Sequence, residues 1–258
     1  MTFVIPFCLD TPARLTNLET LLDFLMIRFD TSVIVSELDQ EPRLNLDVTR
    51  SEFRGKVRHS FHVNHSRFFS RSRSVNLGSR EVETPYLAIN DADALVQTCQ
   101  YLDAVALLRE GVCDMALPYA NRVMWIPPDD VVHLQLGLSD ERLGGLDYKQ
   151  SDDGYIFLGL VGLLKKDAFR CVGMMNERFR SWGFEEMELY IRLLKLGFRV
   201  LRTSGRAYHL GHPDGGNSSS EHPHFLDNRR EYHKVLSLNP ADLRQYVNSW
   251  PWAATTRD

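Results

Sequence analysis

The chain has 258 residues, 43% of them hydrophobic and 25% charged, with a formal net charge of -4 at neutral pH. That length allows one large α/β domain or two small ones with a substantial core, and the mild acidity gives no footprint for nucleic acid. No apolar run reaches the ~18 residues of a membrane span. Cys8, Cys99, Cys113 and Cys171 lack CxxC spacing, which reads as reduced thiols in a cytoplasmic protein rather than a zinc site or a disulfide framework.

In chain order, Phe3 to Phe7 reads as an apolar strand. Thr11-Pro12 then opens a helix carrying Leu15, Leu18, Leu21, Leu22, Leu25 and Met26 at helical spacing. Ser32 to Ser36 is the next strand, so the opening is a strand–helix–strand unit of an α/β fold. Residues 38–58 are polar and read as loop. Phe68 to Val82 reads as helix, Pro85 to Asn90 as strand, Val96 to Glu110 as helix and Asp114 to Tyr119 as strand. Residues 127–154, rich in Asp with Pro and Gly-Gly, read as a loop that shapes a site. Ile156 to Leu164 is a buried strand, Lys166 to Val172 and Glu185 to Leu196 are helices, and Phe198 to Leu201 is a strand. After the Gly- and Ser-rich residues 213–223, Leu226 to Leu236 closes with a helix. The aromatic Trp250-Pro251-Trp252 reads as a frayed end, the alternative being contact with a neighbour or a membrane surface.

Four features carry chemistry. Asp91 and Asp93 follow the strand Tyr86 to Asn90, and i, i+2 spacing in extended backbone puts both carboxylates on one side, where they can hold a divalent cation and through it a diphosphate. Asp also starts turns for structural reasons alone. Upstream, Phe69-Ser70-Arg71-Ser72-Arg73 offers charge-assisted bonds to a diphosphate, or simply a solvated basic helix face. Trp182-Gly183-Phe184-Glu185-Glu186-Met187-Glu188 pairs a ring suited to a sugar face with carboxylates entering a helix, one of which can act as general base. Glu in a first helical turn also favours the helix dipole with no further task. His209 and His212, separated by Leu210-Gly211, have the look of loop-borne metal ligands. Asp with His suits Mn²⁺ better than Mg²⁺.

The order of these elements resembles the GT-A glycosyltransferases, specifically the β-1,4-galactosyltransferases and the galactosyltransferase-like domain of the polypeptide N-acetylgalactosaminyltransferases. That group has Phe-Asn-Arg-Ala-Lys-Leu-Leu-Asn-Val-Gly, then Asp-Val-Asp, then Trp-Gly-Gly-Glu-Asp-Asp-Asp leading to Arg-Leu, then a metal-binding His. This chain has Phe69 to Gly78, Asp91-Ala92-Asp93, Trp182 to Glu188 with Arg192-Leu193, and His209 with His212. The resemblance spans roughly residues 1–235 and implies an α/β GT-A fold, a Rossmann-like half with a mixed central sheet flanked by helices. It implies one domain, with residues 1–95 for the nucleotide, 96–235 for acceptor and catalysis, and 236–258 as a tail.

Carried over position by position, Pro6 and Arg14 match the loop that receives the uracil, and Phe69, Arg71 and Asp91 match donor contacts. Asp93, His212, less securely His209, and Asp91 nearby match the metal set, for Mn²⁺ or Mg²⁺. Glu186 matches the catalytic base, Glu185 the acceptor-binding carboxylate and Trp182 the aromatic of the closing loop. The implied reaction transfers a hexose or N-acetylhexosamine from a UDP-sugar to a carbohydrate or other hydroxyl acceptor, with inversion. A retaining transferase and a non-catalytic sugar-binding module are the alternatives. Glu186 stands where the group has Asp and Phe184 where it has Gly. The expected setting is cytoplasmic, at most touching the inner face of a membrane, in a bacterial style of glycan assembly.

Overall fold

Alternating residues of the first strand face opposite ways, and every one is apolar or buried, so this strand must lie inside a sheet covered on both faces. The computed structural model, which describes residues 1–46, 53, 55–135, 138–146, 148, 150, 156–213 and 221–254, puts it there. Strand β1 (Thr2–Phe7) pairs in parallel with β2 (Ser32–Asp39) and β4 (Tyr86–Asn90), and β2 pairs in parallel with β3 (Val57–Val63). The seven-stranded mixed sheet continues through β8 (Val161–Lys165), β6 (Met115–Leu117) and β9 (Val200–Arg202), in the order β3-β2-β1-β4-β8-β6-β9. A second sheet joins β5 (Ala94–Val96), β10 (Ala207–Leu210) and β7 (Val123–Ile126), with β10 in the middle.

Phe3, Ile5 and Phe7 pack on one side with Leu18, Leu21, Leu22 and Leu25 of α1 (Pro12–Arg28) and Tyr101, Ala104 and Leu108 of α3 (Thr98–Arg109). Val4 and Ile34 pack on the other with Val75 of α2 (Arg71–Arg80), Phe169 of α6 (Lys166–Cys171) and Leu189 and Leu193 of α7 (Glu185–Lys195). The period-two pattern of one strand thus divides the core into the two layers of an α/β/α sandwich. Thr11 caps α1 as its sequence suggests, its side chain accepting from the Arg14 N–H with Pro12 at the first turn.

The structure departs from the sequence expectations in several places. Strand β3 lies partly in the stretch expected to be loop and beyond it; Val-Arg-His-Ser-Phe-His-Val at a sheet edge carries too many polar residues to announce a strand. Residues 127–154 hold two helices, α4 (Pro128–Gln135) and α5 (Asp140–Gly144), the latter capped by Ser139. The Asp and Pro that read as loop formers are the residues favoured in first turns. Strand β8 begins only at Val161, and Ile156 is 64% exposed. Most of the Gly- and Ser-rich stretch expected at 213–223 lies outside the described residues.

The tail does not fray as expected. After α8 (Phe225–Ser237), helices α9 (Pro240–Asn248) and α10 (Pro251–Ala254) fold back, and Trp250 is fully buried with Val235, Leu243 and Val247. Its ring lies under Arg192, 4.9 Å from the guanidinium carbon. Arg192 and Glu188 form a two-pronged ion pair at 2.7 and 2.8 Å, both fully buried, and Arg192 also donates to the Val172 carbonyl. Such a pair is tolerable in the interior only while its hydrogen bonds stay complete. Trp250→Ala should therefore lower stability by about 3–5 kcal/mol, read as a drop in the chemical denaturation midpoint.

Candidate active site

The acidic pair sits in a turn that begins as β4 ends. Asn90 builds it: its buried side-chain amide donates to the Asp91 and Ala94 carbonyls and accepts from the Tyr101 hydroxyl at 2.7 Å. The backbone turns rather than staying extended, and the two carboxylates take different partners while remaining close enough to feel one another. Asp91 meets Arg71, whose Nε and Nη2 both lie 2.7 Å from Oδ1. Asp93 has its own partners, with His212 Nε2 at 3.1 Å, His209 Nε2 at 3.8 Å and Arg14 at 3.6 Å from Oδ2.

Backbone ties hold this second group. The Leu210 N–H donates to the Asp93 carbonyl at 2.7 Å, the Gly211 N–H donates to Ile126 O, and Asn17 of α1 donates its amide to the Leu210 carbonyl at 3.1 Å. A side chain at Gly211 would collide with Ile126 O and with Pro128, so only glycine lets the turn pass and bring His212 onto Asp93. The ligand atoms of Asp93, His209 and His212 lie within 4.8 Å of one another, close to the spread one cation with ~2.1 Å bonds can bridge. His209 Nδ1 is buried without a hydrogen-bond partner. One carboxylate and two imidazoles form a donor set that fits a divalent transition ion. Asp91 is not in this group.

Arg71 also reaches Glu186, Nη1 to Oε1 at 2.9 Å, and so links Asp91 to the first turn of α7. Ser70 caps α2, and the Ser181 N–H donates to the Phe69 carbonyl at 2.8 Å, pinning the start of the Trp182 loop to the helix that carries Arg71. Phe184, the N-cap of α7, has φ +75 and packs on Phe225 and Tyr232, while Trp182 is 47% exposed and stacks on Phe225 at 6.1 Å. Beneath Glu186 lies Gly159, where an added Cβ would sit 3.2 Å from the Glu186 carboxyl; the Tyr119 hydroxyl holds its carbonyl at 2.7 Å.

Burial and crowding set the charges. Burial opposes the charge on Arg71, but Asp91, Glu186 and Glu185 more than restore it and hold it protonated. Burial pushes Asp91 up to about 6 against the pull of Arg71, with Asp93 and Glu186 adding to the rise. Asp93 is buried too, yet His209, His212 and Arg14 together hold it well below the usual carboxylate range. Its hydrogen bond raises the pKa of His212, while burial lowers that of His209. Glu185 is pushed up to about 8 by burial and by Glu186, and its Oε2 has no hydrogen-bond partner.

A cleft of about 180 Å³ opens at the C-terminal ends of β1, β2 and β3, lined among others by Cys8, Asp10, Asp39, Arg43, Asn64 and Phe69. It is at such strand ends that open α/β sheets bind ligands. Phe69, expected as a donor contact, lines it; of the two residues expected at the uracil loop, Pro6 is buried within β1, and Arg14 instead bridges Asp10 of the cleft at 2.8 Å to Asp93. Tyr119, Gly159, Asp39 and Trp125 escape sequence reasoning; single residues with no motif around them leave nothing to find except the glycine's place between apolar runs.

Comparison with known proteins agrees with this geometry. Residues 146–213 match the family model described as the N-terminal domain of galactosyltransferase, a span that contains Gly159, Trp182, Glu185, Glu186, His209 and His212. No curated protein matches. Among solved structures, GalNAc-T7 with UDP, GalNAc and Mn²⁺ is similar at TM-score 0.60 and 12% identity, over 97% of this chain and 52% of that one. Residues 1–349 of S. aureus TarS, in complex with UDP-GlcNAc, are similar at TM-score 0.56 and 13% identity, over 94% of this chain and 68% of theirs.

The raised pKa of Glu185 has a consequence for stability. A carboxyl whose folded value lies above its unfolded one contributes stability that is full below about 4.5 and is lost as the pH rises toward about 8. Glu185→Gln should gain on the wild type across that window by on the order of a few kcal/mol, seen as melting temperatures that diverge between pH 5 and pH 8. Parallel curves would contradict it. The seven-stranded mixed sheet, its helical layers and the solved structures it resembles agree on one fold: the chain has the GT-A fold, and residues 146–213 match a galactosyltransferase domain.

Proposed function

We propose that the chain transfers a hexose or N-acetylhexosamine from a UDP-sugar to a hydroxyl of a carbohydrate, lipid-linked sugar or natural product, with inversion at the anomeric carbon. The observation that carries this reading is the adjacency of two charge systems: Asp93 with His209 and His212, and Arg71 between Asp91 and Glu186. In this reading residues 1–95 bind the nucleotide through the cleft at the strand ends, and residues 96–235 bind acceptor and carry out the transfer. The UDP and Mn²⁺ held by GalNAc-T7 and the UDP-GlcNAc held by TarS support a donor of this type on the same fold.

Asp93, His209 and His212 would hold a divalent cation, Mn²⁺ in preference to Mg²⁺, whose charge favours departure of the diphosphate. Arg71 directs a permanent positive charge to the same side and orients both Asp91 and Glu186. Glu186 takes the proton of the acceptor hydroxyl as its oxygen attacks the anomeric carbon. The carbon–oxygen bond to the diphosphate breaks, and UDP leaves with the electron pair. Glu185, holding a proton at neutral pH, can donate to an acceptor oxygen and accept none of the negative charge. Trp182, exposed beside these carboxylates, offers a face for the acceptor sugar. The four cysteines are all free thiols, which fits a reducing, cytoplasmic setting, and the class of acceptor points to glycan assembly.

Calorimetric titration with UDP and a panel of UDP-sugars, in Mn²⁺ and again in EDTA, tests the donor. Metal-dependent binding is expected, lost in Asp93→Asn; no binding in either buffer would sink the proposal. Glu186→Gln should keep donor affinity while turnover falls ~10²–10⁴-fold, and NMR of the product anomer checks inversion.

A further inference from the structure

The two histidines beside Asp93 are oriented by different means. His212 is aimed by a hydrogen bond, its Nδ1 lying 2.9 Å from the Pro213 carbonyl, which turns Nε2 toward Asp93. A metal-ligating histidine ordinarily has such a partner on its second nitrogen, fixing both tautomer and ring plane. His209 has no such partner on a neighbouring residue for its buried Nδ1. Its ring nevertheless points Nε2 at the same carboxylate oxygen.

What holds it is Trp125. In the parallel pairing of β7 with β10, Trp125 and His209 are register partners, and their rings meet at 4.2 Å with a 41° tilt. The ring of His212 lies further off, its centroid 5.5 Å away. The indole is thus the nearest ring to the imidazole, close enough that turning the imidazole would press it against the indole. Trp125 is itself 41% exposed and adds little to the core, so burial alone does not explain a tryptophan there.

We propose that Trp125 is a positioning residue for the cation group, fixing the His209 ring by stacking where a hydrogen bond would otherwise do so. The inference rests on the metal-dependent reading of the site and adds a residue to it. The test is Mn²⁺ binding to the purified chain at fixed pH, followed by calorimetry and by the electron paramagnetic resonance signal of free Mn²⁺. Trp125→Ala and Trp125→Leu should weaken binding about 10–100-fold, whereas Trp125→Phe, which keeps a flat ring, should stay close to wild type. Leucine retains apolar bulk on the strand, and the metal-free melting temperature of each variant separates a lost orienting contact from a lost fold. Wild-type affinity in a folded Trp125→Ala or Trp125→Leu would overturn the inference while leaving the metal reading standing. Absence of Mn²⁺ binding by the wild type would remove both.

Discussion

A single guanidinium stands among three carboxylates, and the geometry of the site follows from that imbalance. Arg71 contacts Asp91 and Glu186 directly and feels Glu185 close by. One positive charge cannot neutralise three negative ones crowded together, one of them buried, so the remainder is relieved by proton uptake, at Glu185 first and Asp91 next. A cluster in this condition gains when further positive charge arrives. The turn that Asn90 builds directs Asp91 into this cluster and Asp93 out of it, giving two aspartates of one motif opposite pKa shifts.

The placement of Arg71 depends on the sheet. Helix α2 packs Val75 on the face of β1 and β2 that also receives α7, so the helix carrying the arginine and the helix carrying the glutamates share one layer. The bond from the Ser181 N–H to the Phe69 carbonyl then joins their N-termini across the sequence distance between them. Phe184, with its positive φ, costs more at a helix start than the glycine its motif suggests, and its packing on Phe225 and Tyr232 offsets that strain.

Much of this was legible from residue order because the informative elements are periodic or charged. The apolar run of β1, the leucine stripe of α1 with its Thr11 cap, and the acidic start of α7 each state their structure locally. The direction of a side chain after a turn is not stated locally, which is why the resemblance could group Asp93 with His209 and His212 but nothing in the sequence tied Asp91 to Arg71. Strand β3 is polar because it is an edge, and β7 is too short to show alternation before Pro127. The same reason hides Trp125: its partner is on β10, more than eighty residues away along the chain. Trp250 misleads in the opposite sense, since a terminal aromatic beside a proline resembles a loose end until Arg192 is seen over its ring.

That tail gives helix α7 an unusual foundation. Glu188 and Arg192 stand one and two turns below Glu185 on α7, both sealed from water, with the ring of Trp250 against the guanidinium. If α9 and α10 detach, water reaches the pair and the helix loses its floor, although no strand of the sheet need separate. Local opening of this kind lies below global unfolding in free energy. Turnover would then report on the docking of the last two helices rather than on the integrity of the sheet, and gentle heating would silence the chain while its strands remain paired.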